Sequence, residues 1–152
     1  MNSQWMQEGK TMEYSADFDG SGMIINKTPK EIWLSKDQKD LIIVFEEGQC
    51  TLKAFGDCCS DSFWADINCA NQIIDNKITK VETLRLNTPD GLDEDEEKFY
   101  GVNIYTNNGV CQMVFRNSSN GYYGGECEFE WNNHIYFLSK LGYTQIKKTW
   151  SM

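Results

Sequence analysis

The adjacent cysteines Cys58 and Cys59, which follow Asp57, are the residues most suggestive of chemistry. A cysteine nucleophile needs a nearby base, and the single histidine, His134, could supply one. These four residues define one functional alternative, a metal- or thiol-dependent enzyme. Neighbouring side chains of an extended segment point to opposite faces, so the two thiols suit two different environments rather than one site. We therefore favour a protein that is not an enzyme, and keep the enzyme as the alternative.

The spacing of the other cysteines argues against a structural zinc site. Zinc sites usually take ligand pairs with about two to four residues between them, and the remaining cysteines form no such pair. A small thiol in an intracellular protein is most often reduced and buried. We expect that state for four residues: Cys50, Cys69, Cys111 and Cys127. A zinc site assembled from cysteines that are distant in the sequence is the alternative.

Two acidic segments resemble calcium-binding loops. The segment from Asp17 to Ile24 matches the start of an EF-hand loop. The last position of that loop should be a glutamate, but Thr28 stands there, and Pro29 follows where a helix should continue. The second acidic run, residues 93–97, lies in a loop whose like charges favour hydration. We expect a polar turn and a solvated loop, and we predict neither a metal nor another cofactor.

A loop rich in glycine and tyrosine, residues 118–125, is the candidate contact surface. Its glycines and Asn120 permit a tight or bulged connection between two strands. Tyr122 and Tyr123 either close the open end of the core or offer flat contact area to a partner. The predicted binding site combines this loop with the cysteine segment: Asp57, Cys58, Cys59, Asn120, Gly121, Tyr122 and Tyr123.

Short apolar runs separated by polar turns predict antiparallel β-structure. Residues 31–34, 41–45 and 50–55 form three such runs, which is typical of a β-meander. Residues 65–74 fit one short helix instead, and residues 134–141 fit either a second helix or a further strand. The predicted fold is mainly β, or α+β, with about seven antiparallel strands in a meander or sandwich-like sheet and one or two short helices.

A β-hairpin is the clearest local signal. The turn Asn107-Asn108-Gly109 joins residues 100–106 to residues 110–116, and Asn-Gly supplies the positive φ angles that a tight hairpin requires. Apolar and acidic residues alternate from Glu126 to Trp131, which predicts a strand with one buried face. The residues expected to face the core are Cys127, Phe129 and Trp131.

Chain length and composition predict one folded domain. A chain of 152 residues has about the size of a typical domain, and 40% hydrophobic residues are enough to build a core. The first residues are polar and lack a sustained period, which is typical of a loosely held arm. We predict a polar arm over residues 1–29, a β-rich core over residues 30–131, and a C-terminal extension over residues 132–152 packed on or beside the core.

Charge and hydropathy exclude several classes of function. The chain has 14 Lys and Arg against 23 Asp and Glu, and its net charge of -9 repels a nucleic-acid backbone. It contains no run of about 18 apolar residues, the minimum for a membrane-spanning helix. Its first residues carry charges where an export signal needs an unbroken apolar run. We expect a protein partner rather than nucleic acid or a membrane, and leave self-association into a homo-oligomer open.

Two segments carry a family resemblance: Asp57-Cys58-Cys59 after the meander, and Ser119-Asn120-Gly121-Tyr122-Tyr123 near the end of the sheet. Together they resemble a family of unknown function from tailed phages and large DNA viruses, over about residues 30–131. Members often carry an acidic residue directly after the second cysteine of the pair, where this chain has Ser60. The resemblance implies a viral protein, in the cytoplasm of the infected host cell or in the virion, but no activity. We predict a non-catalytic interaction module, either an accessory protein or a minor virion component.

Overall fold

The apolar runs of the sequence form the strands of two antiparallel sheets in the computed structural model, which describes residues 14, 15, 18, 20–57, 59–119 and 124–152. Within these residues the only helical elements are 3₁₀ turns, at Ser21–Ile24, Ala70–Gln72 and Leu138–Leu141. The strands in chain order are β1 Tyr14–Ser15, β2 Glu31–Leu34, β3 Asp40–Val44, β4 Gln49–Gly56, β5 Ser60–Asn68, β6 Ile78–Leu86, β7 Glu97–Thr106, β8 Gly109–Ser119, β9 Gly125–Asn132, β10 Thr144–Gln145 and β11 Trp150–Ser151.

The chain crosses between the two sheets at two connections that lie beside the candidate site. One sheet has six strands in the order β1-β6-β7-β8-β5-β11, and the other has five in the order β10-β2-β3-β4-β9. The chain passes from the five-stranded to the six-stranded sheet between β4 and β5, and it returns between β8 and β9. Residues 132–152 supply the edge strands β10 and β11, one to each sheet. The boundaries between arm, core and extension stay a prediction.

The hydrophobic core lies between the two inner faces. Trp64 of β5 is completely buried there, and its ring packs edge-on against Phe115 of β8, with the ring centres 5.3 Å apart. Its indole Nε1 donates a 3.1 Å hydrogen bond to the carbonyl oxygen of Leu52 on β4. This bond joins the two sheets directly and satisfies a polar group that would otherwise be costly to bury.

Several predicted elements are confirmed. The meander is β2, β3 and β4, and the hairpin is β7 and β8 with Thr106 paired to Gly109. On β9, Cys127 and Phe129 are buried as expected. Trp131 is only partly buried, although its ring packs on Phe45 with the ring centres 5.5 Å apart. The mainly β, antiparallel fold class is therefore correct.

The helix predicted over residues 65–74 is wrong. Residues as far as Asn68 belong to β5 and pair with β8, but a bulge between Trp64 and Asp66 shifts the register by one residue. A bulge interrupts the period of two and so imitates the spacing of a helix. Cys69 then takes a left-handed conformation with φ 63°, which ends the strand before the 3₁₀ turn.

Short edge strands explain the other differences from the expectation. The described residues hold eleven strands rather than about seven, and three of the additional ones are only two residues long. Pairs of this length carry no periodic pattern, because a period of two needs several residues to be visible. In residues 134–141 only Leu138–Leu141 is helical, and it is a single 3₁₀ turn. No helix in the described ranges has the length and hydropathy to cross a membrane.

Candidate functional site

The two segments of the predicted binding site leave the strands at the same end of the molecule. Gly56, the last residue of β4, pairs with Gly125, the first residue of β9. Ser60, the first residue of β5, pairs with Ser119, the last residue of β8. The strands that flank the two segments are therefore neighbours in both sheets. Five of the predicted site residues lie outside the described part of the chain: Cys58, Asn120, Gly121, Tyr122 and Tyr123.

A tight turn exposes the described part of the cysteine segment. The carbonyl oxygen of Asp57 accepts hydrogen bonds from the backbone N–H of Ser60 at 3.1 Å and from its hydroxyl at 2.8 Å. Between them Cys59 takes a left-handed conformation with φ 72°. Asp57 and Cys59 are both exposed. Their participation in binding stays a prediction.

The structure separates the histidine from the cysteine segment. The β4–β9 ladder runs from Gly56 paired with Gly125 to Gln49 paired with Asn132. Seven residue steps of about 3.3 Å make this about 23 Å, and His134 lies beyond the far end. A Cys–His pair needs hydrogen-bond contact, so the enzyme proposed as the alternative is not assembled from Asp57, Cys59 and His134. Within the described ranges no three His, Cys, Asp or Glu side chains cluster as metal ligands would.

The predicted burial of the other thiols is confirmed for three of the four. Cys50, Cys111 and Cys127 are buried, whereas Cys69 is half-buried. Burial raises the pKa of Cys50 to about 12 and raises that of Cys127 well above its usual range. Burial raises the pKa of Cys111 in the same way. These thiols stay protonated at neutral pH and serve as packing groups.

A groove on the outer face of the five-stranded sheet is the site that sequence reasoning missed. It has a volume of about 320 Å³. Its floor is formed by outward-facing residues of β3, β4 and β9, among them Ile42 and Thr51. Its wall is the segment between β9 and β10, which we call the C-terminal flap and define as residues 133–143. The flap residues that line the groove are Tyr136, Leu138, Leu141 and Tyr143.

The flap is held on the sheet by both apolar and polar contacts. Ile42 and Val44 face outward on β3, and Leu138 covers them so that all three are buried. The side-chain oxygen of Gln49 accepts a 3.2 Å hydrogen bond from the backbone N–H of Tyr136, which ties the flap to β4. Gly142 takes the left-handed conformation with φ 82° that ends the 3₁₀ turn, a conformation that favours glycine.

Acidic groups dominate the charge of the groove. Among the described residues, the lining contains two carboxylates, Asp40 and Glu130, and no basic residue. Burial raises the pKa of the Asp40 carboxyl, and its Oδ1 atom is buried with no hydrogen-bond partner among the described residues. The ammonium group of Lys53, which pairs in register with Asp40, acts in the opposite direction by lowering that pKa. The charge that the described lining presents to the groove is therefore negative.

Among the described residues, the flap also presents the largest group of exposed apolar side chains. Seven large hydrophobic residues are exposed in the described ranges, and four of them lie between residues 135 and 141. Phe137 is the most exposed, at 78% of its surface. The apolar run at residues 135–138 was visible in the sequence, but such a run is usually buried, so the sequence did not indicate a surface. The exposed members are Ile135, Tyr136, Phe137 and Leu141.

The fold and the groove together define a β-sandwich domain with an acidic groove beside an exposed apolar flap. The chain belongs to the family described as Domain of unknown function (DUF7448), whose model matches residues 22–129. This confirms the expected membership of a family of unknown function, whereas viral origin stays a prediction. No curated protein matches the chain significantly, and neither does any solved structure.

Proposed function

We propose that this protein is a non-catalytic protein-interaction module of a virus, acting as an accessory protein or a minor virion component. Its place is the cytoplasm of the infected host cell or the virion. The viral assignment is supported by the Asp57-Cys58-Cys59 and Ser119-Asn120-Gly121-Tyr122-Tyr123 segments, which resemble phage and large-DNA-virus proteins. The interaction role is supported by the exposed apolar surface of the C-terminal flap.

The exposure of Phe137 is the main support for the interaction role. A Phe side chain that is 78% exposed leaves most of its apolar area in water, and Leu141 on the same flap is 59% exposed. Transfer of apolar area out of water stabilises a complex by about 25 cal/mol per Å². Contiguous exposed apolar residues with a polar surround mark protein-binding surfaces more often than isolated ones do. The flap therefore serves as the contact surface for a protein segment with apolar side chains.

A displayed peptide library tests this function directly. The purified protein selects binding peptides, and the dissociation constants of the selected peptides are then measured by calorimetry. We expect Phe137→Ser to weaken binding at least fivefold. Phe55→Ser is the matched control, because Phe55 is also an exposed phenylalanine. It lies near the last residue of β4, opposite the first residues of β9 and away from the flap.

Two results would contradict the proposed surface. Peptides that bind the wild-type and Phe137→Ser proteins equally would show that the contact lies elsewhere, and Tyr122→Ala and Tyr123→Ala would then test the predicted tyrosine loop. A wild-type dimer in sedimentation, converted to a monomer by Phe137→Ser, would show that the flap contacts a second copy of the chain.

A further inference from the structure

We propose that the groove under the flap binds a basic side chain, with arginine preferred over lysine, from the same protein segment that contacts the apolar flap. The proposal deepens the proposed function by naming the chemistry of the partner. It commits to a peptide segment in which a basic residue is flanked by apolar residues.

The two carboxylates stand on opposite sides of the groove floor. Asp40 is on β3 and Glu130 is on β9, with β4 between them. Strands two positions apart are separated by about 10 Å. The two acids are also offset along the strands, because Glu130 pairs with Thr51 whereas Asp40 pairs with Lys53. A group seated over Thr51 of β4 therefore lies beside Glu130 and diagonally across from Asp40. A planar guanidinium carries five N–H donors, which is enough to serve two carboxylates at once.

The carboxylate of Asp40 has one oxygen that no described residue satisfies. Its Oδ1 atom is buried without a hydrogen-bond partner among the described residues. Burying an acceptor without a donor is unfavourable, and a cation seated beside Asp40 would place the opposite charge next to this carboxylate. Lys53 lies opposite both Asp40 and Glu128 in the ladder but does not line the groove.

The apolar walls suit the stem of an arginine side chain. Tyr136 and Tyr143 line the groove with Leu138, so methylene groups can pack on these side chains while the charged head reaches the acids. Arginine also stacks on aromatic faces and is more weakly hydrated than an ammonium group, which lowers the cost of burying it. A volume of about 320 Å³ is at the small end for ligand pockets and accepts one long side chain.

A pair of matched peptides tests the charge requirement. The probes are N-acetyl-Leu-Arg-Leu-amide and its citrulline analogue, which keeps the shape of arginine but is neutral. Each is titrated into the isotope-labelled full chain, and the amide signals of Gln49, Thr51 and Glu130 are followed. We expect these signals to shift with the arginine peptide, and the citrulline peptide to bind at least fivefold more weakly.

Charge variants identify the residues. Glu130→Gln and Asp40→Asn should each weaken the arginine peptide at least fivefold and leave the citrulline peptide unchanged. Glu126→Gln is the matched control, because Glu126 faces outward on the same strand but pairs with Phe55 at the other end. It should change neither affinity. Since two independent acidic positions are tested, poor folding of one variant leaves the test intact.

Equal affinities for the two peptides, no effect of either acidic variant, or no binding at millimolar concentration would overturn the cation site. The proposed function fails by a different result, namely library peptides that are indifferent to Phe137→Ser. Peptides that depend on Phe137 but not on Glu130 would keep the docking surface and remove only the inferred arginine.

Discussion

Gly56 and Gly125 face each other at the last pair of the β4–β9 ladder, beside the two connections where the chain changes sheets. Neither position has room for a side chain. A Cβ atom on Gly56 would collide with Ser60 Oγ and Asn117 Nδ2, and one on Gly125 would lie 2.9 Å from Phe115 Cε2. The close approach of the two sheets at this end therefore depends on glycine at both positions.

Substitution of either glycine should destabilise the fold. We expect Gly56→Ala and Gly125→Ala each to lower the free energy of unfolding by about 1–3 kcal/mol, the usual cost of overpacking. Gly22→Ala is the control, because a Cβ atom there meets no atom of the described residues within 4 Å and the backbone is not left-handed. Denaturant unfolding measures all three variants. A Gly56→Ala protein as stable as Gly22→Ala would show that the sheets do not approach closely at this end.

Adjacent residues on β9 should differ sharply in their contribution to stability. Phe129 is buried in the core, and we expect Phe129→Ala to lower the free energy of unfolding by about 3–5 kcal/mol. Glu128 points to the opposite face, so Glu128→Ala should cost less than about 0.5 kcal/mol. Equal losses in chemical denaturation would mean that the register of β9 is wrong.

A partly buried ion pair should make stability depend on acid pH. Glu97 Oε2 accepts hydrogen bonds from Arg116 Nε at 2.7 Å and from the Ser118 hydroxyl at 2.6 Å. The bond from Arg116 is the main reason that the pKa of Glu97 lies below its usual value. A lowered folded-state pKa stabilises the protein above the unfolded pKa, and this contribution is lost as pH falls through the folded pKa.

We therefore expect Glu97→Gln to cost about 1–2 kcal/mol at pH 7. The difference from wild type should vanish once the pH is below the folded pKa of Glu97, because the protonated carboxyl resembles the amide. Thermal unfolding from pH 7 to pH 2.5 measures the effect, with the exposed Glu96→Gln as control. A cost that stays constant over this range would exclude an ionised pair.

Thiol alkylation should distinguish the exposed Cys59 from the buried cysteines of the core. With a pKa of about 12, only about one Cys50 in 10⁴ is a thiolate at pH 8, and its side chain is also buried. Cys59 is exposed. We expect iodoacetamide to label Cys59 at least 100-fold faster than Cys50, Cys111 and Cys127, as measured by mass spectrometry of the digest. Guanidinium should abolish the difference, and equal rates in the folded protein would contradict the burial.

Local patterns allowed much of the fold to be predicted from the sequence. Asn108-Gly109 predicted the β7–β8 hairpin because that turn depends only on backbone angles available to adjacent residues. Alternation predicted the buried face of β9 because side-chain direction in a strand follows a period of two. The same local rule failed at Trp64 and Asp66, where the bulge breaks the period and so imitates a helix.

The amino-acid sequence was enough to infer the antiparallel β class, the acidic net charge and the two segments that carry the family resemblance. Which distant residues share a surface follows only from the three-dimensional fold. Asp40 and Glu130 are 90 positions apart and meet at one groove because β9 pairs with β4. Strand pairing over such a separation depends on the packing of the whole core, and periodicity reports which face a residue occupies but not which strand lies beside it. For the same reason the exposure of Phe137 was invisible, since an apolar run is identical in sequence whether a neighbouring sheet covers it or leaves it in water.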